Sequence, residues 1–309
     1  MGQQVFSVNS LGGFFTNDQL TKQIRHASQP LMKFRQFTDM EPAAGRNRGS
    51  QVFFDKISNI ATAGGTLVET ATIPKSNFTI TQGTLTMTEY GNSIPFTQKL
   101  ETLADITVPD NVKIVLRNDQ AKILDSAAAV QFQTSDYKAT VSNTATTTFG
   151  TAGAALATSS GSMSDKNVRD IIDKMKTLNI PTKDGENYVA ICSTNAIRGL
   201  YDFFEAKAQQ TTMNPLYRGE VGQYYKCRFV EETNRLSNVL GSGSTDGEAV
   251  FFGADAVREG VAQPEEIRID IPKDFGRDQG IAWYALLGFV KTWDFSADGE
   301  TRIIHVTSL

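Results

Sequence analysis

The stretch "TVPDNVKIVLRNDQAKILDSAAAVQFQ", residues 107–133, constrains the fold more than any other. Apolar residues recur mostly three and four apart, with one polar break at residues 117–120, and only Pro109, near the start, would disturb a helix. The spacing predicts one helix, with Thr107 and Asp110 at its amino end and a stripe of Val112, Val115, Leu116, Ile123, Ala127 and Val130. At 1.5 Å per residue it would be about 40 Å long, which is the span of a whole domain. A spine of that length needs partners along most of its course.

The preceding segments cannot serve as those partners by themselves. Residues 1–48 hold one short predicted helix, about 18–28, ended by Pro30, and carry Phe6, Phe14, Phe15, Phe34 and Phe37 without a sustained period. Five large aromatics with so little regular structure need another surface, on this chain or on a neighbour's. Residues 49–100 read as a long polar hairpin. "GSQVFFDKI" runs out, "NIATAGGTLVETATIPK" forms a tip, and "NFTITQGTLTMTEYGNSIPFTQKL" returns, with Phe78, Ile80, Leu85 and Met87 opposite the threonines. An isolated two-stranded ribbon is marginal in water, so this one must lean on something.

Beyond the spine, "KATVSNTATTTFGTAGAALATSSGSMS" has the composition of a connector or edge strand. A helix capped by Ser164 and ended by Pro181 follows, then a buried strand "NYVAICS", a helix "TNAIRGLYDFFEAKAQQ" and a strand "EAVFFG". The carboxyl-terminal part is β again: "EIRIDIP", "IAWYALLGFVKTWDF" and "RIIHVTSL". Asp298-Gly299 between the last two is a hairpin signal, and a helix over 281–290 is the alternative to the middle strand. The whole is α+β, with no tandem repeat.

Little in the chain promises chemistry. The two histidines, His26 and His305, belong to no metal-ligand cluster and read as packed or solvated. Cys192 and Cys227 make no C-x-x-C pair, which suits a reducing cytoplasm. There is no G-x-S-x-G elbow and no G-x-x-x-x-G-K-[ST] loop. In "RGEVGQYYKCRFVEETN", Gly219 and Gly222 have a spacing that invites comparison with a phosphate cradle. Glu220 inside the loop and a strand after it favour a structural turn instead. Glu231-Glu232 and Glu265-Glu266 lie on strands, where adjacent side chains point to opposite faces, so neither pair is expected to hold a cation. No catalytic, cofactor-binding or metal residues are expected.

With 30 basic and 34 acidic residues the net charge is −4, so the surface as a whole does not attract nucleic acid. Residues 19–50 are locally different: Lys22, Arg25, Lys33, Arg35, Arg46 and Arg48 stand against Asp39 and Glu41. That excess could touch phosphates without sequence preference, or it could pair with acidic neighbours. No apolar run is long enough to span a membrane, and the first residues, with Phe6 where a lipidation motif wants a hydroxyl, are expected to be neither a secretion signal nor a lipid anchor.

The order of parts, together with the blocks "GGTLVETATIPKSNFTITQGTLTMTEYGNSIPFTQKLETLAD", "YVAICSTNAIRGLYDF", "RGEVGQYYKCRFVEETN" and "VFFGADAV", resembles the major capsid protein of tailed bacteriophages. This is the Hong Kong ninety-seven fold, and the chain looks most like the N-four-like phage capsid family. One departure is Tyr225-Lys226, where the family often has small residues, so the local turn is expected to differ. The resemblance implies an amino-terminal arm (1–48), an extended loop (49–95), a peripheral domain (96–163 and 265–309) and an axial domain (164–264). It also implies hexamers and pentamers closing an icosahedral shell around double-stranded DNA, in a virion assembled in the bacterial cytoplasm. Lys56, Ile60, Leu67, Ile73, Lys75 and Phe78 of the loop would then reach neighbouring subunits, and the basic residues of the arm would face the lumen. Portal, scaffolding and decoration proteins are the other implied partners. A scaffolding segment fused ahead of residue 1 is not expected. Some relatives join a hairpin lysine covalently to an asparagine, and Lys56 and Lys75 lie in the corresponding region. An encapsulin-like cargo shell shares the fold and is one alternative. A β-rich binding or adhesion module, suggested by the Thr-rich strands, is another, but the spine helix and the cysteine usage oppose it.

Overall fold

The computed structural model describes residues 33–42, 44–57, 64–70, 72–104, 107–135, 137–150, 159–201, 203–204, 220–240, 245–271, 274–293 and 300–309. The short helix expected at 18–28 lies outside them, as do Phe6, Phe14, Phe15 and His26. The described strands are β1 (Asp39–Met40), β2 (Gln51–Ile57), β3 (Ile80–Thr86), β4 (Thr88–Thr97), β5 (Tyr137–Asn143), β6 (Thr146–Phe149) and β7 (Tyr188–Cys192). They continue with β8 (Glu220–Tyr224), β9 (Cys227–Glu231), β10 (Gly247–Phe252), β11 (Val257–Ile269), β12 (Asp278–Lys291) and β13 (Ile303–Ser308). The α-helices are α1 (Gln98–Leu103), α2 (Val108–Gln133), α3 (Asp165–Thr177) and α4 (Thr194–Ile197).

The spine is α2, with Pro109 in its first turn as the sequence requires. Thr107 does not cap it through its side chain; its carbonyl instead accepts from Asn111 Nδ2 at 2.8 Å. The expected apolar stripe faces largely the wrong way. Of its members only Leu116 is buried, while Val115, Ile123 and Val130 are exposed. The buried face is Leu116, Ala121, Leu124, Asp125, Ala128, Ala129 and Phe132. Alanines let the helix approach a sheet closely, so close packing, rather than the largest aliphatic side chains, chose the face.

Two sheets flank this helix. The first has the order β1-β11-β12-β4. On β12, Ile281, Trp283, Ala285 and Leu287 are buried in alternation and pack with Leu116 and Leu124 of α2. That period of two excludes a helix at 281–290. Trp283 Nε1 donates to Asp119 Oδ2 at 3.0 Å, tying strand to spine through the indole's one polar atom.

The second sheet has seven strands, ordered β6-β5-β13-β10-β7-β9-β8. Its central strands β7, β10 and β13 are buried along their whole length; β7 is an unbroken apolar run, whereas β10 and β13 carry Glu248, His305, Thr307 and Ser308 into the interior. One face packs under α3, whose start is a capping box between Ser164 and Asn167. The other face receives Ala128, Ala129 and Phe132 of α2, with Phe34 and Phe37. The spine therefore joins the two cores.

The expected hairpin between the last two strands is not formed. Strand β12 lies between β11 and β4, and β13 lies between β10 and β5 in the other sheet. Asp298-Gly299 itself lies outside the described residues. The predicted helix after Ser193 is broken into α4 and a 3-10 turn (Arg198–Leu200), with Tyr201, Phe203 and Phe204 helical beyond them among the described residues.

Strands β2 and β3 form a two-stranded ribbon, in register from Gln51↔Thr86 to Ile57↔Ile80. The return arm leaves the ribbon at Met87 and continues as β4 within the four-stranded sheet. The ribbon's base crosses that sheet, and Gly288 makes the crossing possible: a Cβ there would lie 2.2 Å from the Thr86 carbonyl oxygen.

Candidate assembly surfaces

The stretch with the cradle-like glycines is a β-hairpin. Gly219 lies outside the described residues. Gly222 is not in the turn but inside β8, at a register shift, where a Cβ would come within 2.7 Å of the Phe204 ring. The turn is Tyr225-Lys226, with φ of 46° and 61°. Both are left-handed, the geometry of a two-residue primed turn that ordinarily takes Asn-Gly. Tyr225 is held there from α3: its hydroxyl donates to Asp173 Oδ1 at 3.0 Å, and Lys176 Nζ sits 4.1 Å from its ring centroid. Glu220, the residue that spoiled a phosphate site in the sequence, pairs with Arg228 Nη1 at 2.9 Å.

The remaining chemical candidates resolve into structure. Cys192 and Cys227 are buried, and desolvation pushes both thiols up, away from reactivity. His305 is buried in β13, and desolvation followed by the charge of Lys138 lowers its pKa to about 4. The acidic pairs are split as expected. Glu232 turns inward and accepts from the backbone amides of Asn234, Arg235 and Leu236, while Glu231 accepts from Thr194 Oγ1. Glu265 pairs with Arg35, and Glu266 with Arg268. Among the described residues no three His, Cys, Asp or Glu side chains are placed to share a metal ion.

The basic residues divide. Lys22 and Arg25 lie outside the described residues. Arg35 is not available to phosphate: it grips Glu259 with Nη2 at 2.7 Å and Nε at 3.0 Å, and pairs with Glu265 as well. Lys33 is half-buried. Arg46 and Arg48 are exposed, Arg48 lying 3.5 Å from the Pro42 carbonyl. Sequence reasoning missed Asp125, which is buried on α2 and accepts from the backbone amides of Phe34 at 2.8 Å and Arg35 at 3.0 Å. Desolvation raises its pKa against those hydrogen bonds. The signal was present as a lone acid inside the apolar run "KILDSAAAV".

The surface that stands out is the ribbon. Leu85 and Val52 at its base are buried, but Phe53, Ile57, Phe78 and Ile80 are 55, 59, 60 and 56% exposed. Leu67 and Ile73 beyond them are exposed too, as are Lys56 in part and Lys75. Ile60 lies outside the described residues. The far end of the four-stranded sheet also carries exposed Ile269 and Ile271 on the β11 side and Leu100 and Leu103 on α1. Two open grooves there, of about 350 and 640 Å³, converge on no catalytic constellation. Apolar surface on this scale is what a subunit keeps for other subunits.

Fold and surfaces together define a structural subunit of a virus shell. The chain belongs to the phage capsid protein family, whose model matches residues 84–299. The fold is that of solved phage capsids over nearly the whole chain. The capsid of Ralstonia phage GP4 superposes with a TM-score of 0.69 at 14% identity, covering 98% of each chain. The acidic stable capsid structure of Helicobacter pylori bacteriophage KHP30 gives 0.67 at 12%, covering 99% of each. The head structure of Helicobacter pylori bacteriophage KHP40 gives 0.66 at 12%, covering 100% of this chain and 99% of that one. No curated protein matches it significantly in sequence. The chain is a major capsid protein, and it assembles with itself into the shell of a phage head. Among the described residues no helix is long and apolar enough to cross a membrane.

Proposed function

We propose that copies of this chain form hexamers and pentamers that close an icosahedral head around double-stranded DNA, and that the chain catalyses nothing. The exposed ribbon carries this reading: Phe53, Ile57, Phe78 and Ile80 lie beyond the reach of their own subunit's core and gain burial only from a neighbour. Residues 1–48 act as the arm and 49–95 as the extended loop. Residues 96–163 and 265–309 form the peripheral domain, and 164–264 the axial domain. Lys56, Ile60, Leu67, Ile73, Lys75 and Phe78 lie at inter-subunit contacts, while Lys22, Arg25, Lys33, Arg46 and Arg48 supply weak, non-specific contacts to packaged DNA. Assembly takes place in the bacterial cytoplasm, with portal, scaffolding and decoration proteins as further partners.

Expression of the full chain with and without its phage's scaffolding factors, followed by sedimentation and electron microscopy, tests this. Capsomers or closed shells are expected, with DNA inside particles recovered from infection. A chain that stays monomeric under every condition would sink the reading, and an enzyme cargo in place of DNA would reassign it to a cargo compartment.

A further inference from the structure

Three consecutive residues of β11, Arg258, Glu259 and Gly260, touch two parts of the chain that are far apart in function. On one side they hold a strap, residues 33–42, together with Ala44. Glu259 accepts from Arg35 Nη2 at 2.7 Å and from Thr38 Oγ1 at 3.0 Å, and its carbonyl accepts from the Glu41 amide at 2.8 Å. Arg258 Nη1 reaches Glu41 Oε2 at 2.6 Å, while its Nε is fixed on Asp255 Oδ1 at 2.8 Å. Gly260 leaves room for Ala44, whose Cβ would lie 3.0 Å from an added Cβ.

On the other side two of the three, Arg258 and Gly260, hold the base of the ribbon. The guanidinium carbon of Arg258 lies 5.8 Å from the centroid of the Phe54 ring, and that ring covers Gly83 of the opposite strand. Leu85 fills the space over Gly260, where an added Cβ would meet its Cδ2 at 2.4 Å. The strap has little backbone pairing of its own: β1 contributes only Asp39↔Arg258 and Met40↔Glu259. Its position therefore depends on side chains: Phe34 and Phe37 in the core, Asp125 on α2, Lys183 on Asp39 at 2.7 Å, and the β11 carboxylates.

We propose that Arg258–Gly260 is a coupling junction, through which the seating of the strap sets the seating of the ribbon. Arg258 is the positioning residue: Glu41 and Asp255 fix its guanidinium where Phe54 rests against it. Because coupling between two sites is reciprocal, loosening the strap loosens the ribbon, and disturbing the ribbon loosens the strap. In a shell, contact at one neighbour would thereby be felt at another. That consequence rests on the assembly reading, whereas the junction acts within one chain and is tested without assembly.

Hydrogen exchange on the full-length unassembled chain decides it. Arg35→Met should speed exchange at residues 34–41 at least tenfold, and also at Val52–Phe54 and Gln82–Thr86, with α3 and β7 unchanged. Phe54→Ala, made on the ribbon, should speed exchange at residues 34–41 in turn. Strap loosening confined to the strap would overturn the proposal. So would no change at all. A uniform rise that includes α3 and β7 would instead be global destabilisation by Arg35→Met, and Arg258→Lys then decides: it keeps a cation for Glu41 but not the planar group against Phe54. It should loosen the ribbon base while the core stays protected, and loss of core protection there too would leave only a stability effect and end the proposal.

Discussion

His305 makes the stability of the chain depend on pH in a defined window. It sits in the middle of β13, opposite Val250 on β10 and Lys138 on β5. Neither ring nitrogen has a partner of ordinary hydrogen-bond geometry among the described residues, and Glu248 Oε1 is 3.8 Å from Nε2. Desolvation, then the Lys138 charge, holds its pKa at about 4, against 6.5 for a free imidazole, with a small opposing pull from the Gln133 backbone. Between those values the unfolded chain binds a proton that the folded chain refuses. The stabilising contribution is therefore complete above pH 6.5 and drains away as pH falls toward 4. At roughly 1.4 kcal/mol per pH unit the full effect is about 3 kcal/mol, a substantial part of the ~5–15 kcal/mol that holds a domain folded. Urea midpoints of the full chain between pH 7 and pH 4.5, for the wild type and for His305→Gln, isolate it. Asp184 and Glu265, whose pKa values are lowered, give up their contribution at the acid end, and Asp125, whose pKa is raised, works in the opposite direction. All three are common to both proteins and cancel in the difference. The wild type should lose stability faster than the variant across this window. Parallel curves would refute the buried, neutral imidazole.

Three variants probe the rest of the fold. Lys226→Gly should stabilise the chain by up to about 1 kcal/mol in thermal or urea melts, because φ of 61° costs glycine nothing; a loss of stability would mean that the lysine side chain holds the turn. Gly288→Ala should cost about 1–3 kcal/mol, since its methyl group would meet the Thr86 carbonyl where the ribbon crosses the sheet, and limited proteolysis should show the ribbon base opened. Phe78→Ser combined with Ile80→Ser should leave the melting of the isolated subunit unchanged within about 0.5 kcal/mol while abolishing particles in sedimentation. A destabilised subunit would show that the ribbon packs on its own chain.

Much of the architecture was legible because its signals are local. The spine's extent, the Ser164 cap, the buried strands and the ribbon all follow from periodicity, capping residues and turn composition. What failed needed partners that sequence does not display. The spine's inward face went to Ala121, Ala128 and Ala129 because a nearby sheet rewards closeness, and Val115 and Ile123 were left outside. The Asp298-Gly299 signal suggested a hairpin, but both flanking strands have their edges taken in different sheets. Gly222 is small because the Phe204 ring packs on it, and the bend fell to Tyr225-Lys226 because α3 holds the tyrosine. The basic cluster was visible as charge, but the engagement of Arg35 with Glu259 joins residues more than two hundred positions apart. The ribbon's exposed apolar side chains were the most informative feature at both levels, since in each the question was what covers them.

A cryo-electron microscopy reconstruction of the assembled protein answers that question directly. Closed shells in which Phe53, Ile57, Phe78 and Ile80 are buried against an adjacent subunit are the expected result. Shells that leave these four side chains in water, or a chain that remains a single subunit with the ribbon folded onto its own body, would contradict the account.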